Sequence, residues 1–159
     1  MRVALVVMLA LAIVPAATSG GELPPDVQDC APGEAQRVVQ RFVRAFNSRD
    51  IPALDRGFAP TESFNWYSTG RPGVRLGPAA YDRSTLIPYF RAQQSQGERL
   101  RLVRFEGGGN ANGYAHFRFR IERRSRELRP TVFQGKGAAI CAASGDTISV
   151  WSVGSSVSR

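Results

Sequence analysis

The chain has one histidine, His116, in the stretch GYAHFRFRIERR from Gly113 to Arg124, where aromatic and basic residues alternate. Imidazole is the side chain whose free pKa lies nearest neutrality, so a lone histidine raises the question of acid–base catalysis. Strand geometry answers it. Side chains two apart share a face, so Ala115, Phe117, Phe119 and Ile121 form one face and Tyr114, His116, Arg118, Arg120 and Glu122 the other. The apolar set is the one a core must cover. This leaves His116 on an outer basic face with Arg118, Arg120, Arg123 and Arg124, and with Arg126 beyond it, where no desolvated cavity surrounds it.

The carboxylates offer little more. Asp50 and Asp82 are placed to cap helices, Glu34 sits in a first helical turn, and Asp146 is a turn residue. Glu22, Asp26 and Asp29 fall in a Pro- and Gly-rich lead-in. Asp55 is the one acid whose location could overlook a pocket mouth, with Glu62 next. For an enzyme, the weak catalytic candidates are Asp55, Tyr67 and Tyr81. One histidine and two distant cysteines do not make a compact metal-ligand set, and no cofactor motif is present: GGGNANG, at 107–113, lacks the Gly-Lys-Ser/Thr ending of a phosphate loop and precedes a strand. The aromatics are more suggestive. Trp66, Tyr67, Tyr81, Tyr89, Phe117, Phe119 and Trp151 could line an apolar ligand pocket with phenol and indole donors at its rim, or simply fill a core. The small residues of VFQGKGAAICA, 132–142, leave either space for a ligand or room for a helix to approach.

Arg2 followed by the unbroken apolar run Val3 to Val14 and small residues from Ala16 to Gly20 has the plan of a cleavable signal peptide, residues 1–19, with cleavage near 16–20. The run is shorter than the roughly 20 residues that span a bilayer, so stable membrane insertion is not expected. Export to an oxidising compartment would favour a bridge between the only two cysteines, Cys30 and Cys141; the alternative is two separate buried thiols. The net charge of +8, with Lys136 the single lysine, draws anionic partners such as envelope polymers without implying a specific nucleic-acid site.

The elements that must position these residues follow from periodicity. After the lead-in, 20–33, apolar residues at Ala35, Val39, Phe42, Val43 and Phe46 predict an amphipathic helix over 34–47. Asp50 opens a short second helix carrying Leu54 and Phe58. SFNWYSTG, 63–70, reads as a strand and RPGVRLGPAAY, 71–81, as a loop. A third helix runs to about Gln96, stopped by Gly97. The period then changes to two, giving strands over 100–106, 114–122, 132–142 and 147–153 and a polar tail at 155–159. Helices followed by antiparallel strands make an α+β order.

This order, with VVQRFVRAFNSRDIPALDRGFAP from Val38 to Pro60 as its opening and ISVWSVG from Ile148 as its close, resembles the nuclear transport factor 2-like superfamily, also called cystatin-like or polyketide-cyclase (SnoaL)-like. The resemblance covers 34–154. It implies a cone: a curved antiparallel sheet covered on its concave face by about three N-terminal helices, enclosing an apolar pocket. It implies no single activity, since such folds serve isomerases, dehydratases and cyclases as well as domains that only bind or assemble. The leading expectation is a secreted, non-catalytic domain binding a small apolar ligand or a protein partner through the pocket or the sheet face, where a homodimer would bury Tyr114 and His116. The alternatives are a lyase or isomerase acting on a polycyclic or terpenoid-like substrate, and a basic module for anionic envelope polymers.

Overall fold

The computed structural model describes residues 23–60, 63–64, 66–71, 74–80 and 83–156, with backbone only for 66–71, 74–80, 83 and 155–156. The expected signal peptide, Glu22, Glu62, Tyr81, Asp82 and the end of the polar tail lie outside the described residues, as do the side chains of Trp66 and Tyr67.

Three helices, α1 (Glu34–Ser48), α2 (Ile51–Arg56) and α3 (Arg83–Ser95), alternate with seven strands: β1 (Val27–Gln28), β2 (Trp66–Arg71), β3 (Val74–Ala80), β4 (Arg99–Ala111), β5 (Tyr114–Arg124), β6 (Thr131–Ala142) and β7 (Thr147–Ser156). The sheet order is β3-β2-β7-β6-β5-β4, with β1 paired to β6. All pairings are antiparallel except β2 with β7. The fold class is therefore α+β, as expected from the order of periodicities.

α1 buries Ala35, Val38, Val39, Phe42, Ala45 and Phe46, the stripe that a 3.6-residue period places on one side. It ends at Arg49, which takes the left-handed conformation at φ 61°. Just before that stop the Asn47 amide pairs twice with the backbone of Leu100, donating to its carbonyl at 2.7 Å and accepting from its N–H at 2.9 Å. One side chain thus fastens the end of α1 to the start of β4. Asp50 caps α2 by accepting from the Ala53 N–H at 2.9 Å.

Several boundaries differ from expectation. The segment read as a loop after Gly70 contains β3, in which Val74, Gly77, Pro78 and Ala80 stand opposite Arg71, Thr69, Ser68 and Tyr67 of β2, so that its Gly and Pro are part of the ladder. Strand β4 runs past Glu106 to Ala111, through two bulges, so the glycine-rich stretch is mostly ladder with a tight turn at Asn112-Gly113. β7 continues to Ser156, into the expected polar tail. The lead-in is held by more than its cysteine: Val27 and Gln28 pair with Ala142 and Cys141, the Ser144 N–H donates to Asp26 at 2.7 Å, and the Asn110 amide donates to the Cys30 carbonyl at 3.1 Å.

Cys30 and Cys141 are bridged, with Cα atoms 5.2 Å apart and a sequence separation of 111. Closing so long a loop restricts the unfolded chain by about 4–5 kcal/mol in the chain-entropy treatment. Replacing both cysteines with serine should lower unfolding stability by an amount approaching that, measured by urea titration against the oxidised protein. The hydrogen bond from Ser144 N–H holds the Asp26 carboxyl below 3.8. A lowered carboxyl stabilises the fold at pH values above its unfolded pKa, and that contribution disappears as pH falls through the lower folded value. The Ser144 amide resonance should accordingly titrate with a midpoint below 3.8, and this transition should be absent in Asp26→Asn.

Candidate functional site

The concave interior is built from aromatic rings. Phe119 stacks on Trp151 with ring centroids 4.0 Å apart and planes 21° from parallel. Phe42 meets Trp151, Phe58 and Phe90 at 5.0, 5.4 and 5.7 Å. Of the residues expected at a pocket, Phe117, Phe119 and Trp151 are buried in this cluster and Tyr89 is half-buried against it. In register, Tyr67 is the Cα partner of Trp151 across the parallel β2–β7 pair.

Gly135 and Gly137 of β6 hold no space for a ligand, whereas the expected approach of a helix to this strand is made by α1. The rings of Phe117 and Phe119 on β5 lie across the positions where side chains on Gly137 and Gly135 would stand; a Cβ on Gly137 would be 2.6 Å from Phe117 Cε2. Glycine here lets the neighbouring strand's rings lie flat on the backbone.

At one end of the cone, an internal cavity of about 10 Å³ remains between Phe46, Tyr89, Gln93, Leu100, Trp151 and the pair Glu98–Arg123. That is the room of roughly one water. Arg123 does not belong to the outer basic face where the sequence reading put it. It continues the inward parity of Ala115, Phe117, Phe119 and Ile121, and its guanidinium meets the Glu98 carboxylate twice, at 2.7 and 3.0 Å, with both side chains only 5 % exposed. Its guanidinium carbon also lies 5.5 Å from the Phe133 ring centroid. Glu98 is an inward-facing acid that strand-based reasoning missed, because it sits in the turn between α3 and β4. The signal was the unbroken parity of β5, which asks for a partner to any charge at position 123.

The remaining candidates lie elsewhere. His116, Arg118, Arg120 and Arg124 are exposed on the outer face of the sheet. Asp55 is exposed on α2, beside an open surface depression that also includes Arg56, Asp146 and Arg41; the last two form an ion pair at 3.2 Å. Glu34 has its carboxylate within 4.8 Å of both cysteine sulfurs, but the bridge consumes the thiolates a metal would need.

On that outer face, a groove of about 500 Å³ is lined by Arg104, Arg118, Arg120 and Lys136 together with the acid Glu106 and with Gln134 and Ser152. Ladder register accounts for it: Arg118 stands opposite Lys136, Arg120 opposite Gln134, and Lys136 opposite Ser152.

A buried ion pair is costly to break and cheap to replace whole. Arg123→Met alone should destabilise the protein by about 3–5 kcal/mol by leaving Glu98 buried without its partner. Combining it with Glu98→Leu should recover most of that loss in the same urea titration.

No protein-family model matches the chain, and no curated protein matches it. Solved structures do share its fold. A provisional dehydratase of the nuclear transport factor 2-like family from Streptomyces avermitilis superposes with a TM-score of 0.62 at 12% identity, over 79% of this chain and 95% of that one. The beta subunit of benzoate 1,2-dioxygenase from Burkholderia mallei gives 0.58 at 11% identity, over 82% and 93%. An uncharacterised cystatin-like protein from Caulobacter vibrioides gives 0.60 at 13%, over 79% and 88%. The chain therefore has the nuclear transport factor 2-like, cystatin-like cone fold.

Proposed function

We propose that this protein is an extracytoplasmic, non-catalytic binding domain whose contact surface is the outer face of its sheet rather than the interior of its cone. The observation that carries this reading is the contrast in available space. Phe42, Phe58, Phe90, Phe117, Phe119 and Trp151 pack together among the described residues beside a space of about 10 Å³, while the outer groove offers about 500 Å³. A small apolar ligand placed among these described rings would have to displace the Phe119–Trp151 stack.

Among the described residues, the interior supplies the lyase or isomerase alternative with no unpaired carboxylate. In the described interior the carboxylate of Glu98 is already matched by Arg123, and a general base must be available to the proton it takes. The apolar N-terminal run and the disulfide support export, since such bridges persist in oxidising compartments. No described helix is long and apolar enough to cross a membrane. Charge argues against a symmetric homodimer on the outer face. An isologous contact sets one patch against its own copy, which would bring Arg118, Arg120 and Lys136 toward the same three cations.

Native mass spectrometry of the protein purified from its own host tests this reading. The expected result is a mature chain starting near residues 16–20, lighter by two hydrogens for the bridge, monomeric and without an apolar ligand. A retained apolar ligand would overturn the reading and restore the interior pocket.

A further inference from the structure

The outer face holds cations that the fold does not employ. Arg101 is matched by Glu122 at 2.8 Å and Arg104 by Glu106 at 2.6 Å. Arg118, Arg120 and Lys136 are exposed and make no ion pair or hydrogen bond among the described residues. Arg118 stands opposite Lys136 on β6 and opposite Glu106 on β4; the Glu106 carboxylate is paired with Arg104, so Arg118 and Lys136 face each other as like charges, an arrangement that destabilises a sheet. These side chains rise from two interior strands of the sheet, so their backbones are held on both sides.

We propose that this groove binds a linear, base-free phosphate polymer, with Arg118, Arg120 and Lys136 meeting its anionic oxygens. Ser152, 8 % exposed at the groove floor, and Gln134 at its side supply neutral donors. The proposal rests on the reading of the outer face as the contact surface. Three features select the ligand. Donors from three adjacent strands converge from several directions, which suits a tetrahedral phosphate better than a planar carboxylate. Arg118 and Arg120, two apart on one strand, are separated by roughly 6.6 Å, so each reaches a different anionic group along a chain. Arg124 continues the same row beyond the matched Glu122. Finally, the one ring in the groove lining is that of Phe119, which is only 3 % exposed, so the groove itself offers no open face for the base stacking on which single-stranded nucleic-acid sites depend.

The test is binding of inorganic polyphosphate of defined length by isothermal titration across a series of salt concentrations. The variant R118Q/R120Q/K136Q should flatten the dependence of log affinity on log salt by about 2, the value expected for three lost phosphate contacts at about 0.7 each. R44Q/R56Q/R91Q, which removes the same charge from exposed helical positions, should leave the slope unchanged. Equal losses in both variants would overturn the site. Polyglutamate binding as tightly as polyphosphate would overturn the phosphate assignment, and tighter binding of single-stranded DNA of equal charge would overturn the base-free one. Absent polyphosphate binding in a protein that carries no interior ligand removes this assignment alone, whereas a retained interior ligand removes the reading beneath it.

Discussion

The stacked rings of Phe119 and Trp151 join β5 to β7 across the glycines of β6, and the two-sided character of the sheet depends on that contact. A ring can lie on a neighbouring strand only where no side chain rises beneath it, which explains why Gly135 and Gly137 stand opposite Phe119 and Phe117. Once those rings are directed inward, strand alternation directs Arg118, Arg120 and His116 outward without further instruction. Filling of the cone and exposure of the cations are consequences of one register. A slip of one residue would exchange them, placing guanidinium groups in the core.

The same alternation carries Arg123 inward at the end of the strand, where aromatic packing gives way to the turn between α3 and β4. A buried guanidinium is tolerable only when matched in charge and geometry, and Glu98 supplies both through two parallel hydrogen bonds. The pair joins that turn to β5 at the edge of the small internal cavity. An acid so matched does not resemble the free carboxylate that acid–base chemistry in a cone would require. The Glu98–Arg123 pair therefore serves the closure of the fold.

Shared architecture with a provisional dehydratase and a dioxygenase subunit, at 12% and 11% identity, says nothing about chemistry. Here aromatic volume occupies the cone, and the described outer face carries unmatched positive charge. The lead-in strap, fastened by the Cys30–Cys141 bridge, the β1 ladder and Asp26, leaves the groove over β4, β5 and β6 open.

Local pattern alone was enough for the three helices, the late strands, the α+β order and the outward direction of His116, because a period of 3.6 or 2 is written into neighbouring residues. Asp50 as a cap and Asn47 near a helix end were also legible, though the pairing of Asn47 with Leu100 was not, since it spans 53 residues. β3 was hidden by its Gly and Pro content; only the edge it forms with β2 makes it a strand. Whether the small residues of β6 leave a void depended on which rings a neighbouring strand lays over them. The reading of Arg123 as a surface charge failed because composition outweighed parity, and its partner Glu98 lies 25 residues away. Short-range order reports which face a side chain takes. Whether that face meets a matching charge, a ring or open solvent is decided only when distant segments pack together.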